Sequence, residues 1–293
     1  MARAKRSYIP GHIWHITHRC HKREFLLKFA RDRYTDLQWL YEARKRYGLT
    51  IFNYMITSNH IHLLVVDDGD RDVIPDSRQL VAGRTGQEYN QRKDRRGAYW
   101  EDRYHATAVE SGHHLARCMV YMDTNMVRAG VVEHPSMWCF SGYNEIQEPR
   151  RKKILIDYEK VRRYVGTASY EQLKKSHRGW VEEYLGKGEK SRQEEWTSSI
   201  AVGSRSFVEN VQTLLGYRAK GREVRVGNEG YHLREGSALY EGIFEAKKDD
   251  IGLENAYSGW IAKNNHKLTV ARPRKNMRLE QTGLRLAAKP RPR

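Results

Sequence analysis

Residues 50–66 of the chain read TIFNYMITSNHIHLLVV, and this stretch decides the fold class. Its two halves, Thr50–Ile56 and His60–Val66, are rich in β-branched, aromatic and other apolar residues, which favours strands. Only a short polar turn at residues 57–59 separates them. The sequence therefore predicts two antiparallel strands joined as a hairpin.

The hairpin belongs to an alternating series of predicted strands and helices. In chain order, the pattern predicts a strand at 12–19, a helix at 25–47, the hairpin, a helix at 77–96, a strand within 97–110 and a helix at 113–129. This order is typical of an α+β fold, in which helices pack on one face of a ferredoxin-like antiparallel sheet.

The chain is strongly basic, with 53 Lys and Arg residues against 36 Asp and Glu residues and a formal net charge of +17. Such an excess favours a polyanionic partner, because neutralising phosphates releases counterions. The 18 Tyr and 7 Trp residues could stack on unpaired bases, which favours nucleic acid over a membrane surface. No run approaches the roughly 18 apolar residues that span a bilayer.

Cysteine usage and the N-terminal residues bear on the cellular compartment. The three cysteines are widely spaced and odd in number, which argues against a disulfide framework. The basic N-terminus is not followed by the apolar segment of a signal peptide. We therefore expect a cytoplasmic protein that associates with the nucleoid.

The composition changes near residue 145, where a basic segment is typical of a linker. We predict a first domain over 1–148, a mainly helical accessory DNA-binding region over 149–270 and a flexible basic tail over 271–293. Within the middle region, helical patterns occur at 157–165, 169–185, 204–216 and 236–247.

His60 and His62 are the first candidates for chemistry. Because they lie two residues apart on a predicted strand, both imidazoles should project from the same face. Two neutral imidazoles on a rigid strand make half of a site for a divalent metal. A His-x-His pair is more often a surface or hydrogen-bonded pair, but this one opens an apolar strand directly after a polar turn, where side chains could face a cleft.

The predicted helix at 113–129 carries two stripes of side chains. An apolar stripe, best interpreted as core, contains Leu115, Met119, Met122, Met126 and Ala129. A polar stripe contains Arg117, Tyr121, Asn125 and Arg128. The second stripe aligns a phenol that could attack, an amide oxygen that could bind metal and guanidinium groups that could hold phosphate. Taken alone, a solvated helix face explains it equally well.

Together the strand and the helix suggest phosphodiester chemistry. Cleavage by an enzyme hydroxyl needs an in-line nucleophile and a cation that polarises the phosphate. Two histidines and an amide oxygen could hold Mg²⁺ or Mn²⁺, and the imidazoles favour Mn²⁺ in affinity.

A second group of histidines lies near the N-terminus and could suggest zinc. It comprises His12, His15, His18, Cys20 and His21. A Cys-x-x-Cys spacing is absent, and His15 and His18 would point to opposite faces of a strand. We expect these residues to be structural, or DNA contacts at most.

Four segments resemble one known family. NHIHLL at 59–64 resembles the His-hydrophobe-His motif of the HUH single-tyrosine transposases, and YMDTNMVRAG at 121–130 resembles the nucleophile helix of the REP-associated tyrosine transposases. RSYIPGH at 6–12 and GAYWEDRY at 97–104 are similar to that group's N-terminal stretch and to its Gly-x-x-Trp-x-x-Arg-Tyr segment. The resemblance runs in order over about residues 6–143.

The resemblance implies a role for each matching residue. It makes Tyr121 the nucleophile and His60, His62 and Asn125 the ligands of a divalent metal. It implies attack on single-stranded DNA beside a hairpin of a repetitive extragenic palindrome, a 5′-phosphotyrosine intermediate and a free 3′-hydroxyl, with rejoining by the reverse reaction. Met126 departs from the Pro that family members commonly carry there, which leaves the ligands intact but alters the expected local helix.

The expected DNA contacts come from three parts of the chain. The N-terminal stretch is a candidate for reading a tetranucleotide beside the hairpin. The full set of expected contacts is Arg3, Lys5, Arg6, Tyr8, Arg103, Arg117 and Arg128.

Two alternatives remain beside a strand-transferring enzyme. One is a non-catalytic DNA-binding protein that keeps the same fold. The other is an HUH replication initiator or relaxase, which is less favoured because no second tyrosine lies close to Tyr121 on the helix. The sequence leaves open whether the protein is a monomer or a homodimer that exchanges its tyrosine helix, and which DNA sequence it recognises.

Overall fold

A seven-stranded sheet lies at the centre of this computed structural model, which describes residues 9–188, 191, 193–228 and 230–235. The strands are β1 (Ile13–Arg19), β2 (Thr50–Ile56), β3 (His60–Val66), β4 (His105–Val109), β5 (Ala201–Gly203), β6 (Arg222–Gly227) and β7 (Gly230–Glu235). Their order across the sheet is β2-β3-β1-β4-β5-β7-β6.

Helices account for most of the other described residues. They are α1 (Ala30–Tyr47), α2 (Val73–Lys93), α3 (His113–Asp123), α4 (Asn125–Arg128), α5 (Gly142–Gln147), α6 (Tyr158–Val165), α7 (Tyr170–Gly186), α8 (Glu195–Ser198) and α9 (Arg205–Leu215). Short 3-10 turns occur at His21–Arg23, Pro135–Met137 and Gly216–Ala219. Within these described ranges, no helix is long and apolar enough to cross a membrane.

The predicted hairpin is confirmed, and it sets the register of the sheet. β2 and β3 pair antiparallel, and β1 lies between β3 and β4, antiparallel to both. In this register Thr17 faces His62 across the β1–β3 pair, and His15 faces Thr107 across the β1–β4 pair. Side chains of His15, Thr17 and His62 therefore share one face of the sheet.

Helices cover both faces of this sheet, where the sequence pattern suggested one. His18 points to the face that carries α2, where Arg78 Nη2 donates to its Nδ1 at 3.0 Å. His15 points to the opposite face, where its ring meets Tyr121 of α3. The reason lies in β1 and β3, which are buried along almost their whole length on both faces and need cover on each.

The region beyond residue 148 extends the same sheet. β5 pairs parallel with β4, so the sheet is mixed, and β7 and β6 follow in antiparallel pairs. The described residues on both sides of residue 148 belong to one compact unit. The helices predicted near 157–165, 169–185 and 204–216 are observed as α6, α7 and α9. The helix predicted at 236–247 and the tail at 271–293 lie outside the described residues.

The helix predicted at 113–129 is interrupted at Thr124, between α3 and α4. The Thr124 hydroxyl donates to the Val120 carbonyl at 2.7 Å, a back-bond that often bends helices. The break falls between Tyr121 and Asn125, so these two residues belong to different short helices. Asn125 is the first residue of α4.

Candidate active site

His60 and His62 project together from the first residues of β3. Their ring centroids lie 4.9 Å apart and the ring planes are nearly perpendicular. His62 is buried, whereas His60 is half-exposed at the end of the strand. The same-face placement that the sequence predicts is therefore observed.

The two ring nitrogens of His62 meet residues from two other elements. Its Nδ1 lies 2.9 Å from Nε2 of His15 on β1, and its Nε2 lies 3.3 Å from the Asn125 amide nitrogen on α4. The structure thus brings together two of the predicted ligands, His62 and Asn125, although 63 positions separate them in the chain.

Hydrogen bonding fixes the proton positions on these rings. His15 Nδ1 lies 2.8 Å from the carbonyl oxygen of Trp196, which can only accept, so Nδ1 of His15 carries the proton. Burial lowers the pKa of His15 to about 4, which keeps the ring neutral near pH 7 and makes its Nε2 an acceptor. His62 must then donate from Nδ1, and its Nε2 carries the lone pair that faces Asn125.

This arrangement fits a divalent cation. A neutral imidazole with a lone pair on one nitrogen, and a hydrogen-bond partner on the other, is the usual form of a metal-binding histidine. His60 Nδ1 is engaged by Thr57 Oγ1 at 3.0 Å and Asn59 Oδ1 at 2.7 Å, so Nε2 is its nitrogen suited to coordination. Rotation of the Asn125 amide would turn its oxygen towards His62.

The donor set would consist of two imidazoles and one amide. In the part of the chain that the structure describes, no three His, Cys, Asp or Glu residues cluster as a metal site. A third protein donor for a cation at this position would have to come from another residue type, and the Asn125 amide is the candidate that the family resemblance implies. Nitrogen and amide donors suit Mn²⁺, and Mg²⁺ would retain more of its water ligands.

Tyr121 packs against the rings of His62 and His15. Its ring centroid is 6.1 Å from that of His62 and 6.2 Å from that of His15, and both contacts are edge-on. The indole of Trp196 packs at 6.2 Å on another side. Tyr121 is consequently buried, with only 3% of its surface exposed.

Arg128 contributes positive charge to the tyrosine. Its guanidinium carbon lies 4.2 Å from the centre of the Tyr121 ring, a cation–π contact, and its Nη1 donates to Thr124 Oγ1 at 2.6 Å. Within the predicted polar stripe, Arg128 therefore lies over the Tyr121 ring rather than on a solvated face.

The other predicted DNA contacts lie at varying distances from Tyr121. Arg117 is exposed one helical turn before Tyr121, with its Nη1 3.4 Å from His113 Nε2. Arg103 is exposed in the loop before β4. That loop lies at the His60 end of the sheet, because the backbone N–H of Glu101 donates to the carbonyl of Arg19, which pairs with His60. The remaining four, Arg3, Lys5, Arg6 and Tyr8, lie outside the described residues.

Two residues of this site were not anticipated from the sequence. His15 was expected to be structural or a DNA contact at most, yet it is hydrogen-bonded to a predicted ligand. Alternation along β1 places it on the face of His62 only once the β1–β3 register is known. Trp196 comes from the C-terminal half, and no sequence pattern links it to Tyr121.

One segment of the chain matches a known protein family. Residues 9–125 match the IS200-like transposase family, and this segment contains all four predicted catalytic and metal-binding residues. No curated protein matches the chain.

Two solved structures show similarity over about half of the chain. The first is a REP-associated tyrosine transposase bound to a REP hairpin, with 19% identity, 50% of this chain and 84% of that chain covered, and a TM-score of 0.42. The second is a protein of Deinococcus radiodurans R1 described as a candidate transposase, with 15% identity, coverage of 44% and 92%, and a TM-score of 0.29.

Proposed function

We propose that the protein is a metal-dependent enzyme that cuts and rejoins single-stranded DNA beside hairpins, with Tyr121 as the nucleophile. The observation that carries the proposal is that α3 and α4 both contact His62 of β3. Its ring lies 6.1 Å from that of Tyr121, and its Nε2 lies 3.3 Å from the Asn125 amide. The match of residues 9–125 to the IS200-like transposase family supports the same class of reaction.

In the proposed reaction, the Tyr121 oxygen attacks a backbone phosphorus atom of the DNA. A bond from Tyr121 to the 5′ phosphate forms while the bond from phosphorus to the 3′ oxygen breaks. The phenol gives up its proton and the leaving 3′ oxygen takes up a proton, which produces a free 3′-hydroxyl. Attack of a 3′-hydroxyl on the phosphotyrosine reverses these steps and rejoins a strand.

Positive charge near the attacked phosphate comes from two sources. Mg²⁺ or Mn²⁺ held by His60, His62 and Asn125 would polarise the phosphate. The Arg128 guanidinium is already in place over the Tyr121 ring and can donate hydrogen bonds to a phosphate oxygen.

The proposed substrate is a single strand that carries a hairpin. The net charge of +17 suits a polyanion, and the motif resemblance specifies the hairpin. We propose Arg103, Arg117 and the N-terminal set Arg3, Lys5, Arg6 and Tyr8 as contacts to the DNA. A homodimer that exchanges its tyrosine helix stays a prediction, as does association with the nucleoid.

One observation favours a second candidate, a DNA-binding protein without turnover. Tyr121 is almost fully buried, and Trp196 packs against it. A phosphate can reach the phenol only if neighbouring side chains move. In this case the protein would bind hairpin DNA with high affinity in Mn²⁺ or Mg²⁺ and leave it intact.

A denaturing gel of protein mixed with labelled single-stranded hairpin DNA and Mn²⁺ distinguishes the two candidates. The strand-transfer proposal predicts a covalent protein–DNA band that Tyr121→Phe abolishes and that Tyr104→Phe retains. EDTA should remove the band from the unmodified protein. A band of equal intensity in Tyr121→Phe would refute the assignment of the nucleophile, and binding with no band in either metal would favour the second candidate.

A further inference from the structure

A cavity of about 510 Å³ adjoins Tyr121 on the side of α3 that faces α7. Such a volume lies within the range of roughly 300–1,000 Å³ that is usual for small-molecule sites. α3 contributes His113, Arg117 and Tyr121 to its wall, and α7 together with the residue that follows it contributes Trp180, Tyr184 and Lys187.

The α7 wall of the cavity is aromatic. Trp180 and Tyr184 are partly exposed, and both pack on a small buried cluster of Val120, Tyr143 and Val181. Both rings therefore line the cavity while they pack on a buried cluster. Aromatic rings in such a position are the usual stacking partners of unpaired bases.

Charge at the cavity is predominantly positive. Arg117 and Lys187 supply two cations, and the one carboxylate among the described lining residues, Glu183, is paired with Lys187 at 2.7 Å. The Tyr184 hydroxyl is buried and has no hydrogen-bond partner in the described part of the protein. An unsatisfied buried hydroxyl of this kind suits a ligand that brings polar atoms.

Tyr121 is common to the cavity and to the candidate metal site. It lines the cavity beside Val120, while the edge of its ring meets His62. A DNA strand that places its phosphate at Tyr121 would therefore have its next nucleotide within reach of the cavity. α7 lies outside the matched residues 9–125, so this wall is supplied by the C-terminal half of the chain.

We propose that the cavity between α3 and α7 binds one unpaired nucleotide that adjoins the cleaved phosphate. Its base stacks on Trp180, and its phosphate contacts Arg117. This inference rests on the proposed function, since it takes single-stranded DNA as the ligand.

The test measures DNA binding without cleavage. Full-length protein with Tyr121→Phe is titrated against a fluorescent single-stranded hairpin oligonucleotide and against versions with one abasic position each. We expect an abasic site at a single position next to the cleavage site to weaken binding about tenfold, the effect of losing one stacked base. With Trp180→Leu added, the intact oligonucleotide should bind about tenfold more weakly and the abasic site should cost nothing further.

A matched control and a milder variant keep this test decisive. Trp39→Leu removes a partly exposed tryptophan on α1, and it should preserve both the affinity and the abasic effect. Tyr184→Phe keeps the ring and removes only its hydroxyl, and Arg117→Gln removes one lining cation. If Trp180→Leu fails to fold, these two should each weaken binding of the intact oligonucleotide severalfold. Circular dichroism checks the fold of each variant.

Two outcomes would overturn the inference. One is an abasic effect that persists undiminished in Trp180→Leu or, if Trp180→Leu does not fold, an unchanged affinity of both milder variants for the intact oligonucleotide. The other is an equal loss of affinity at every abasic position. Neither outcome touches the covalent test of Tyr121, because binding is measured in Tyr121→Phe. A failed covalent test would likewise leave the stacking result standing.

Discussion

Nε2 of His15 lies 2.9 Å from Nδ1 of His62, and the other nitrogen of His15 lies 2.8 Å from the carbonyl oxygen of Trp196. A backbone carbonyl from the C-terminal half thereby fixes which nitrogen of His62 carries its proton. The nitrogen left with a lone pair faces Asn125. The C-terminal half thus contributes to the candidate metal site without providing a ligand.

Replacing His15 should therefore weaken metal binding. His15→Leu removes the acceptor for His62 Nδ1, and loss of such a partner typically lowers metal affinity about 10- to 100-fold. His15→Gln can still accept a hydrogen bond from His62 and should lose less. Titration with Mn²⁺, followed by the electron paramagnetic resonance of the free ion, gives the dissociation constants. Equal affinities in all three proteins would contradict the proposed role.

Acid should destabilise the fold through the same histidine. Burial lowers the pKa of His15 to about 4, so between pH 6.5 and 4 the unfolded chain binds a proton there and the folded protein does not. The free energy of unfolding should fall as the pH falls through this window, by up to about 3 kcal/mol from His15. Burial also lowers the pKa of His105 and adds to the loss.

Urea unfolding at pH 7.5 and pH 4.5 measures this dependence. The control is His15→Gln, which has no titrating ring at this position and should show a smaller difference between the two pH values. An unchanged difference in the variant would mean that other groups dominate the acid response.

Much of the fold could be predicted from local sequence patterns. Clear sequence patterns mark the two hairpin strands, β1 and the helix predicted at 113–129. The candidate site residues follow from the His-x-His pair and from the polar stripe of that helix. What could not be predicted depends on pairing between distant segments. His15 joins the site only through the β1–β3 register, and Trp196 only through the contact of its segment with β1.

The outer strands were missed for a different reason. β5 has only three residues, which is too short to give a pattern, and β6 has no fully buried position and carries three charged side chains. The interruption at Thr124 could not be predicted either, because threonine also occurs within helices. The hydrogen bond from its hydroxyl to the Val120 carbonyl is visible only in the structure.

Arg128 should assist the attack of Tyr121. Its guanidinium lies 4.2 Å from the ring centre, so Arg128→Gln removes a fixed positive charge from the reaction site. We expect the rate of covalent adduct formation to fall about tenfold or more, the usual effect of losing one charged hydrogen bond. Arg128→Lys should lose less of the rate because it keeps the charge. It should still lose some, because lysine cannot reproduce the planar contact of the guanidinium. Single-turnover adduct formation at saturating DNA provides the rates, and similar rates for all three proteins would exclude this role.

A buried hydrogen bond between Asp123 and His177 should make the stability of α3 depend on its packing against α7. Nε2 of His177 lies 2.8 Å from Oδ2 of Asp123, and both side chains are fully buried. In His177→Leu, the buried Asp123 carboxylate loses its histidine partner and keeps the hydrogen bond from Asn53 at 3.1 Å. This loss should lower the free energy of unfolding by about 3 kcal/mol or more.

A double-mutant cycle with Asp123→Asn tests this link. The two substitutions should be strongly non-additive, because each removes the same contact. Thermal or urea unfolding of the four proteins gives the coupling energy. Additive losses would show that Asp123 and His177 stabilise the protein independently of each other.

The central claim is that Tyr121 becomes covalently attached to the 5′ phosphate of a cut single strand. The most direct measurement is mass spectrometry of the protein after reaction with a single-stranded hairpin oligonucleotide and Mn²⁺, followed by digestion with nuclease and protease. The account predicts a phosphonucleotide remnant on the peptide that contains Tyr121, and a released strand that ends in a 3′-hydroxyl. A remnant on another residue, or a cut strand with no protein-bound nucleotide, would contradict it.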